Sequence, residues 1–121
     1  MYVRAIRGAI TVEHNDANEI IEATKELLCD IINKNEIEQD DIASVIFTIT
    51  RDLDAAFPAL AARQIGWTSV PLICSYEIDV VGSLKSCIRV LMHVNTEKSN
   101  KDMKHIYLKG ARVLRPDLVE E

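Results

Sequence analysis

The chain has 121 residues, of which 48% are hydrophobic and 27% charged, and a formal charge of -5; this is the size and balance of one ordinary globular domain spanning 1–121. A net acidic chain without a basic run argues against nucleic acid or an anionic membrane surface as partner, while leaving room for a local basic pocket. No stretch approaches the roughly 18 apolar residues needed to span a bilayer, and Arg4 and Arg7 stand where a secretory leader would be apolar.

Val3 to Val12 is rich in β-branched residues and alternates loosely, which predicts a first strand with Val3, Ala5 and Arg7 on one face and Arg4, Ile6 and Gly8 on the other. Asp16 to Asn35 carries Ile20, Ile21, Thr24, Leu27, Leu28, Ile31 and Ile32 at helical spacing. Asp16 is suited to cap that helix, Glu19 to complete a variant of the capping box, and Asn35 to stop it. Glu36 to Asp41 reads as a loop with room for a short helical turn, and Ala43 to Thr50 as a strand that is fairly apolar on both faces.

Pro58 to Ile65 reads as a short helix with Pro58 in its first turn and Gly66 ending it. Val70 to Tyr76 and Ser86 to Asn95 are further strands, separated by a turn at Val81-Gly82-Ser83. Ser99 to Lys104 is polar and is expected to start a short helix; Lys109-Gly110 turns the chain, and Ala111 to Leu114 is expected as a last short strand. The order predicts an α+β domain, a mixed β-sheet with helices on one face.

Against this pattern some residues stand out. Arg89 sits in Cys87-Ile88-Arg89-Val90-Leu91-Met92, an otherwise apolar strand. A buried, unpaired guanidinium costs several kcal/mol, so it needs an anion. If the strand is central, that anion is either a structural carboxylate or a ligand; if it is an edge strand, the arginine reaches solvent, and periodicity alone leaves these readings open. Arg7 poses the same question in the first strand, and Glu77 emerges at the end of the third. Arg63 and Arg115 lie near apolar runs, where solvated surface positions are their default reading. His14, His93 and His105 are scattered, without paired metal-ligand spacing. Cys29, Cys74 and Cys87 match no zinc motif and read as reduced thiols of a cytoplasmic protein, Cys74 as a packed thiol rather than a nucleophile. No Gly-rich phosphate loop or dinucleotide fingerprint is present.

A resemblance goes further. Arg4-Ala5-Ile6-Arg7-Gly8-Ala9 with Thr11-Val12-Glu13, Asp52 to Ala59, Gly66-Trp67 with Val70-Pro71-Leu72, Glu77 to Val80 with Lys85 to Leu91, and Tyr107-Leu108 with Val113 to Leu118 resemble, in order and spacing, segments of the AroH-type chorismate mutases. The resemblance covers almost the whole chain. It implies a homotrimer with a pseudo-barrel of sheets at its centre, helices outside and active sites at the subunit clefts. It implies chorismate as substrate, prephenate as product, a place in aromatic amino-acid biosynthesis, and no metal or cofactor. By position, Arg7, Glu77, Arg89 and Tyr107 correspond to the family's polar site residues. Ile73, Cys74, Ser75, Tyr76 and Glu77 correspond to a site-lining stretch, Phe57 and Leu114 to apolar walls, and Arg63 and Arg115 to peripheral cations.

Three departures concern substrate capture. Leu60 stands where some relatives carry Lys, Ile73 where some carry Thr, and the chain is one residue shorter just before Gly66. The tail ends at Glu121, so any lid beyond Leu118 is expected to be short. Two other readings of the same architecture are an imine deaminase, which also binds carboxylates with an arginine in subunit clefts, and a non-catalytic trimer that senses a dicarboxylate.

Overall fold

The computed structural model describes residues 1–115. Five strands form one mixed sheet: β1 (Tyr2–Thr11), β2 (Ile42–Ile49), β3 (Leu72–Tyr76), β4 (Cys87–Thr96) and β5 (Ile106–Leu108), in the order β3-β2-β4-β1-β5. β4 runs antiparallel to β1 and β2, while β3 and β5 run parallel to their neighbours at the two edges. Two α-helices, α1 (Ala17–Asn35) and α2 (Ala59–Gln64), complete the layer architecture.

The long helix forms where its apolar stripe demands it. Asp16 Oδ2 accepts the Glu19 backbone N–H at 2.9 Å, which satisfies one of the free donors of the first turn. The reciprocal half of the expected capping box does not form. The Glu19 carboxylate instead accepts from the backbone N–H groups of Glu13 and His14, so it ties the end of β1 to the helix start. At the other end Asn35 is buried, and Glu36 takes the left-handed conformation that ends the helix.

The core lies between this helix and one face of the sheet. Ile20, Leu27, Leu28 and Ile31 of α1 meet Ile6 and Ile10 of β1, Val45 and Phe47 of β2, and Ile88, Met92 and Val94 of β4, with Trp67 packed among them. Gly8 is required here. A Cβ on it would stand 2.9 Å from Ile31 Cδ1 and 3.2 Å from the Ile106 carbonyl oxygen, so its absence lets α1 and β5 close onto β1.

Element boundaries depart from expectation as well. β3 starts at Leu72 rather than Val70. Ala111 to Leu114 is not a strand; Lys109–Val113 is a 3-10 helix, entered through Lys109 at φ 53°. The last strand is instead Ile106–Leu108, only three residues long and therefore too short for a period-2 signal to register. Pro116, Asp117 and Leu118, and the tail to Glu121, lie outside the described residues. Among the described residues no helix is long and apolar enough to cross a membrane.

Candidate active site on the open face of the sheet

Because strand side chains alternate, the residues between the core positions all emerge on the face that α1 does not cover. The register aligns Ser75, Thr48, Arg89, Ala9 and Tyr107 in one row across all five strands. Arg89 is at its centre, on the middle strand. Arg7 stands in the adjacent row beside Leu91.

Glu77 reaches the same place although it lies just past β3. Its backbone N–H donates to the Ile49 carbonyl at 2.9 Å, which extends the β2–β3 pairing by one residue. Its Oε1 accepts a short hydrogen bond from Thr48 Oγ1 and lies 3.6 Å from Arg89 Nε, with both side chains about a quarter exposed. At that distance the pair is an ion contact rather than a hydrogen bond.

Under these groups lies a small apolar floor of Ala9, Cys87, Tyr107 and Ala111, with Leu84 and Leu114 packed against it. Burial raises the Cys87 thiol above its ordinary range, against the pull of Arg89. Two buried polar atoms here have no hydrogen-bond partner, Arg89 Nε and Tyr107 Oη. Folded chains seldom strand such groups, since each costs on the order of 1–3 kcal/mol, more when charged. Two donors left open beside an acidic acceptor are a group chemically suited to an oxygen-rich anion with a hydroxyl.

A clamp fixes the start of β4. Asp52 accepts from Ser86 backbone N–H and hydroxyl and from Thr50 Oγ1, and Cys87 N–H donates to Thr50 Oγ1 at 3.1 Å. Burial works to raise the Asp52 carboxyl, but the Thr50 and Ser86 hydrogen bonds outweigh it and hold it below the usual carboxylate range. Ser86 sits at φ 52°, a conformation that this clamp holds in place, and Arg89 follows three residues later.

The remaining expected residues lie elsewhere. Phe57, Cys74, Ser75 and Tyr76 line a cleft of about 360 Å³ at the β3 edge, together with Ile49 and Asp54 to Ala56. Phe57 is 72% exposed. Cys74 is in register with Phe47 and so belongs to the helix-covered side; burial raises its thiol, with the Ala59 amide and Arg63 pulling the other way. Ile73 is exposed on the open face. Arg63 lies beside Trp67, Thr68, Val70 and Leu72. Within one chain the structure therefore brings Arg7, Glu77, Arg89, Tyr107 and Leu114 to one face, with Ser75 at the β3 end of the Arg89 row, and leaves Phe57, Cys74 and Arg63 apart from them.

Two residues near the site escaped the sequence reading. Thr48 shares the alternation of β2 and would have been found by pairing β2 with β4 in register. His105, which lacks paired metal-ligand spacing, accepts the Arg7 backbone N–H at its Nδ1, 2.9 Å away.

A mixed sheet closed by helices on one side, with cations and an acid set in apolar strands on the other, is an α+β domain with a site suited to a small anion. The model of the chorismate mutase type I family matches residues 3–118, and the chain belongs to that family. It is 50% identical over 117 residues to chorismate mutase AroH of Thermus thermophilus, covering 96% of each protein. It is 46% identical over 119 residues to chorismate mutase AroH of Bacillus subtilis, covering 98% of this chain and 94% of that protein. A solved chorismate mutase from Clostridium thermocellum superposes with a TM-score of 0.89 at 62% identity, covering 90% of this chain and 97% of that one.

Proposed function

We propose that the chain converts chorismate to prephenate in a site shared between subunits of a homotrimer, with the open sheet face of one subunit facing the β3 edge of the next. The activity is that of its family: an isomerase of aromatic amino-acid biosynthesis. The observation that carries the site is the pair of buried, unpartnered donors, Arg89 Nε and Tyr107 Oη, beside the Glu77 carboxylate.

The reaction is a unimolecular rearrangement. An ether C–O bond breaks as a C–C bond forms, and no proton or nucleophile is required. The protein has two tasks: to hold the enolpyruvyl chain folded over the ring, and to stabilise charge that separates as the ether link opens. Arg89 bonds the ether oxygen and one carboxylate, because its guanidinium is planar, forked and charged at any working pH. Arg7 and Tyr107 hold a carboxylate. Glu77, oriented by Thr48, accepts from the ring hydroxyl and faces the positive character of the ring fragment. Cys74, with its raised thiol, lines the pocket as a weak donor.

What one chain leaves uncovered supports the trimer. Val3 and Ile73 are 60% and 62% exposed, and Ala5, Ile46 and Leu91 are only half-buried on the same face. An apolar sheet face of this kind calls for a covering layer. A second subunit supplies it, together with Phe57, Ile73 to Tyr76 and Arg63 as the far wall; Leu114 closes the near side and Arg115 adds a peripheral cation. The protein works in the reducing cytoplasm as a single domain.

Chorismate absorbance, followed with purified protein in the presence of a chelator, tests this reading. Loss of chorismate with stoichiometric prephenate is expected. Tight binding of chorismate without turnover would refute it.

A further inference from the structure

The segment that delivers Tyr107 is held by side chains as well as by sheet pairing. β5 pairs with β1 over three positions only, from Gly8–Ile106 to Ile10–Leu108. Ahead of it, the Lys104 backbone N–H donates to Asn35 Oδ1 at 2.7 Å, and Asn35 Nδ2 donates to the Lys104 carbonyl at 2.9 Å. One residue on, the Arg7 backbone N–H donates to His105 Nδ1. An imidazole nitrogen there takes the amide of a site arginine, two residues before Tyr107.

We propose that His105 is a positioning residue for the reaction: its neutral ring, protonated on Nε2, fixes Arg7 of β1 against Tyr107 of β5, and a proton on Nδ1 releases them. The inference rests on the reading that Arg7 and Tyr107 hold a substrate carboxylate.

Chemistry sets the direction. A ring nitrogen that accepts must carry a free lone pair, so the neutral ring has its hydrogen on Nε2. A protonated imidazole has two donors and no acceptor, which would set N–H against N–H at Arg7. The surroundings favour the neutral form. Partial burial depresses the ring below its ordinary 6.5, and the cations Arg7 from β1 and Arg115 beyond the last 3-10 turn depress it further. The sign of the stability effect follows. Above 6.5 the ring is neutral in folded and unfolded chain alike, and the bond contributes fully. As pH falls below 6.5 the unfolded chain takes the proton first, and stability declines until the folded ring is protonated too. Turnover fails in that lower range, where the folded ring gains its proton.

The test compares pH profiles of kcat/KM from about pH 5 to about pH 8, the span in which histidine titrates. His105→Ala removes the acceptor and is expected to lose about fivefold at neutral pH, the size of one net hydrogen bond. His105→Asn offers an amide oxygen near the Nδ1 position and does not titrate. It is expected to recover most of that loss and to move the acid limb to lower pH. An acid limb in His105→Asn that coincides with the wild type overturns the proposal. Imidazole nitrogen shifts of the wild-type enzyme supply a readout independent of variant folding: hydrogen on Nε2 supports the proposal, and hydrogen on Nδ1 at neutral pH overturns it. Arg7→Ala separates the two layers of inference. If it loses activity, the outcome of the histidine variants judges His105 alone; if it keeps wild-type kcat/KM, the reading of the site itself fails.

Discussion

On the face of the sheet that α1 covers, Ile6, Ile10, Val45, Phe47, Ile88 and Met92 are fully buried. On the opposite face, the residues that alternate with them include Arg7, Thr48, Arg89 and Leu91, all with some exposure, and Arg89 Nε and Tyr107 Oη without partners. The same strands thus serve two purposes separated by one residue of register. The covered face is complete within one chain, and its role is stability. The open face leaves apolar and polar groups uncovered in one chain, and in the proposed reading it meets a ligand and another subunit. Buried groups without partners are a cost to folding, and this cost is what supports reading the open face as the working one.

Substitutions that act on one face and spare the other sharpen this contrast. Arg89→Lys should give the largest effect. It keeps the charge but loses the fork, and removing one preorganised donor costs roughly 100- to 1000-fold in kcat. Thermal unfolding should show Tm close to wild type, because the guanidinium contributes little to the covered core. A comparable loss of Tm would erase the division between the faces.

Leu27→Ala is the mirror experiment. Leu27 is fully buried under Gly8 and β1, and such truncations cost about 2–5 kcal/mol of stability. Denaturant unfolding should show that loss, while kcat of the folded fraction stays near wild type. Glu77 gives the smallest and most diagnostic contrast. Glu77→Ala should lose about tenfold to a hundredfold in kcat/KM, the range of a hydrogen bond involving a charged group. Glu77→Gln keeps an acceptor and should lose less. Equal losses would mean that charge, not acceptance from a hydroxyl, is what Glu77 supplies.

Much of this was legible before any coordinates. The α1 stripe and its Asp16 cap were readable because one helix face repeats over five turns. The strand of Arg89 was readable because a lone cation interrupts an apolar run. The last strand was not, since Ile106–Leu108 owes its pairing to β1 and to the Asn35 and His105 side chains rather than to its own pattern. Glu19 shows the same limit. Its spacing from Asp16 fits a capping box, yet the turn at Glu13 and His14 offers its carboxylate better-placed amides. Arg89, Arg7 and Glu77 stand out in the sequence itself, the other site residues and all the roles come from resemblance, and only the register of four strand pairings shows which of them share a face. Cys74 falls on the helix-covered side and Phe57 at the β3 edge, a separation that no spacing in the chain reveals.

That separation makes mixed trimers the most direct measurement. Arg89→Ala disables the open face, and Phe57→Glu sets a negative charge in the β3-edge cleft; each variant alone should be nearly inactive. Unfolded together in equal amounts and refolded, they should regain about one quarter of wild-type activity, since random mixing leaves about one subunit seam in four with both halves intact. Mixed trimers as inactive as either parent would contradict a site built from two chains.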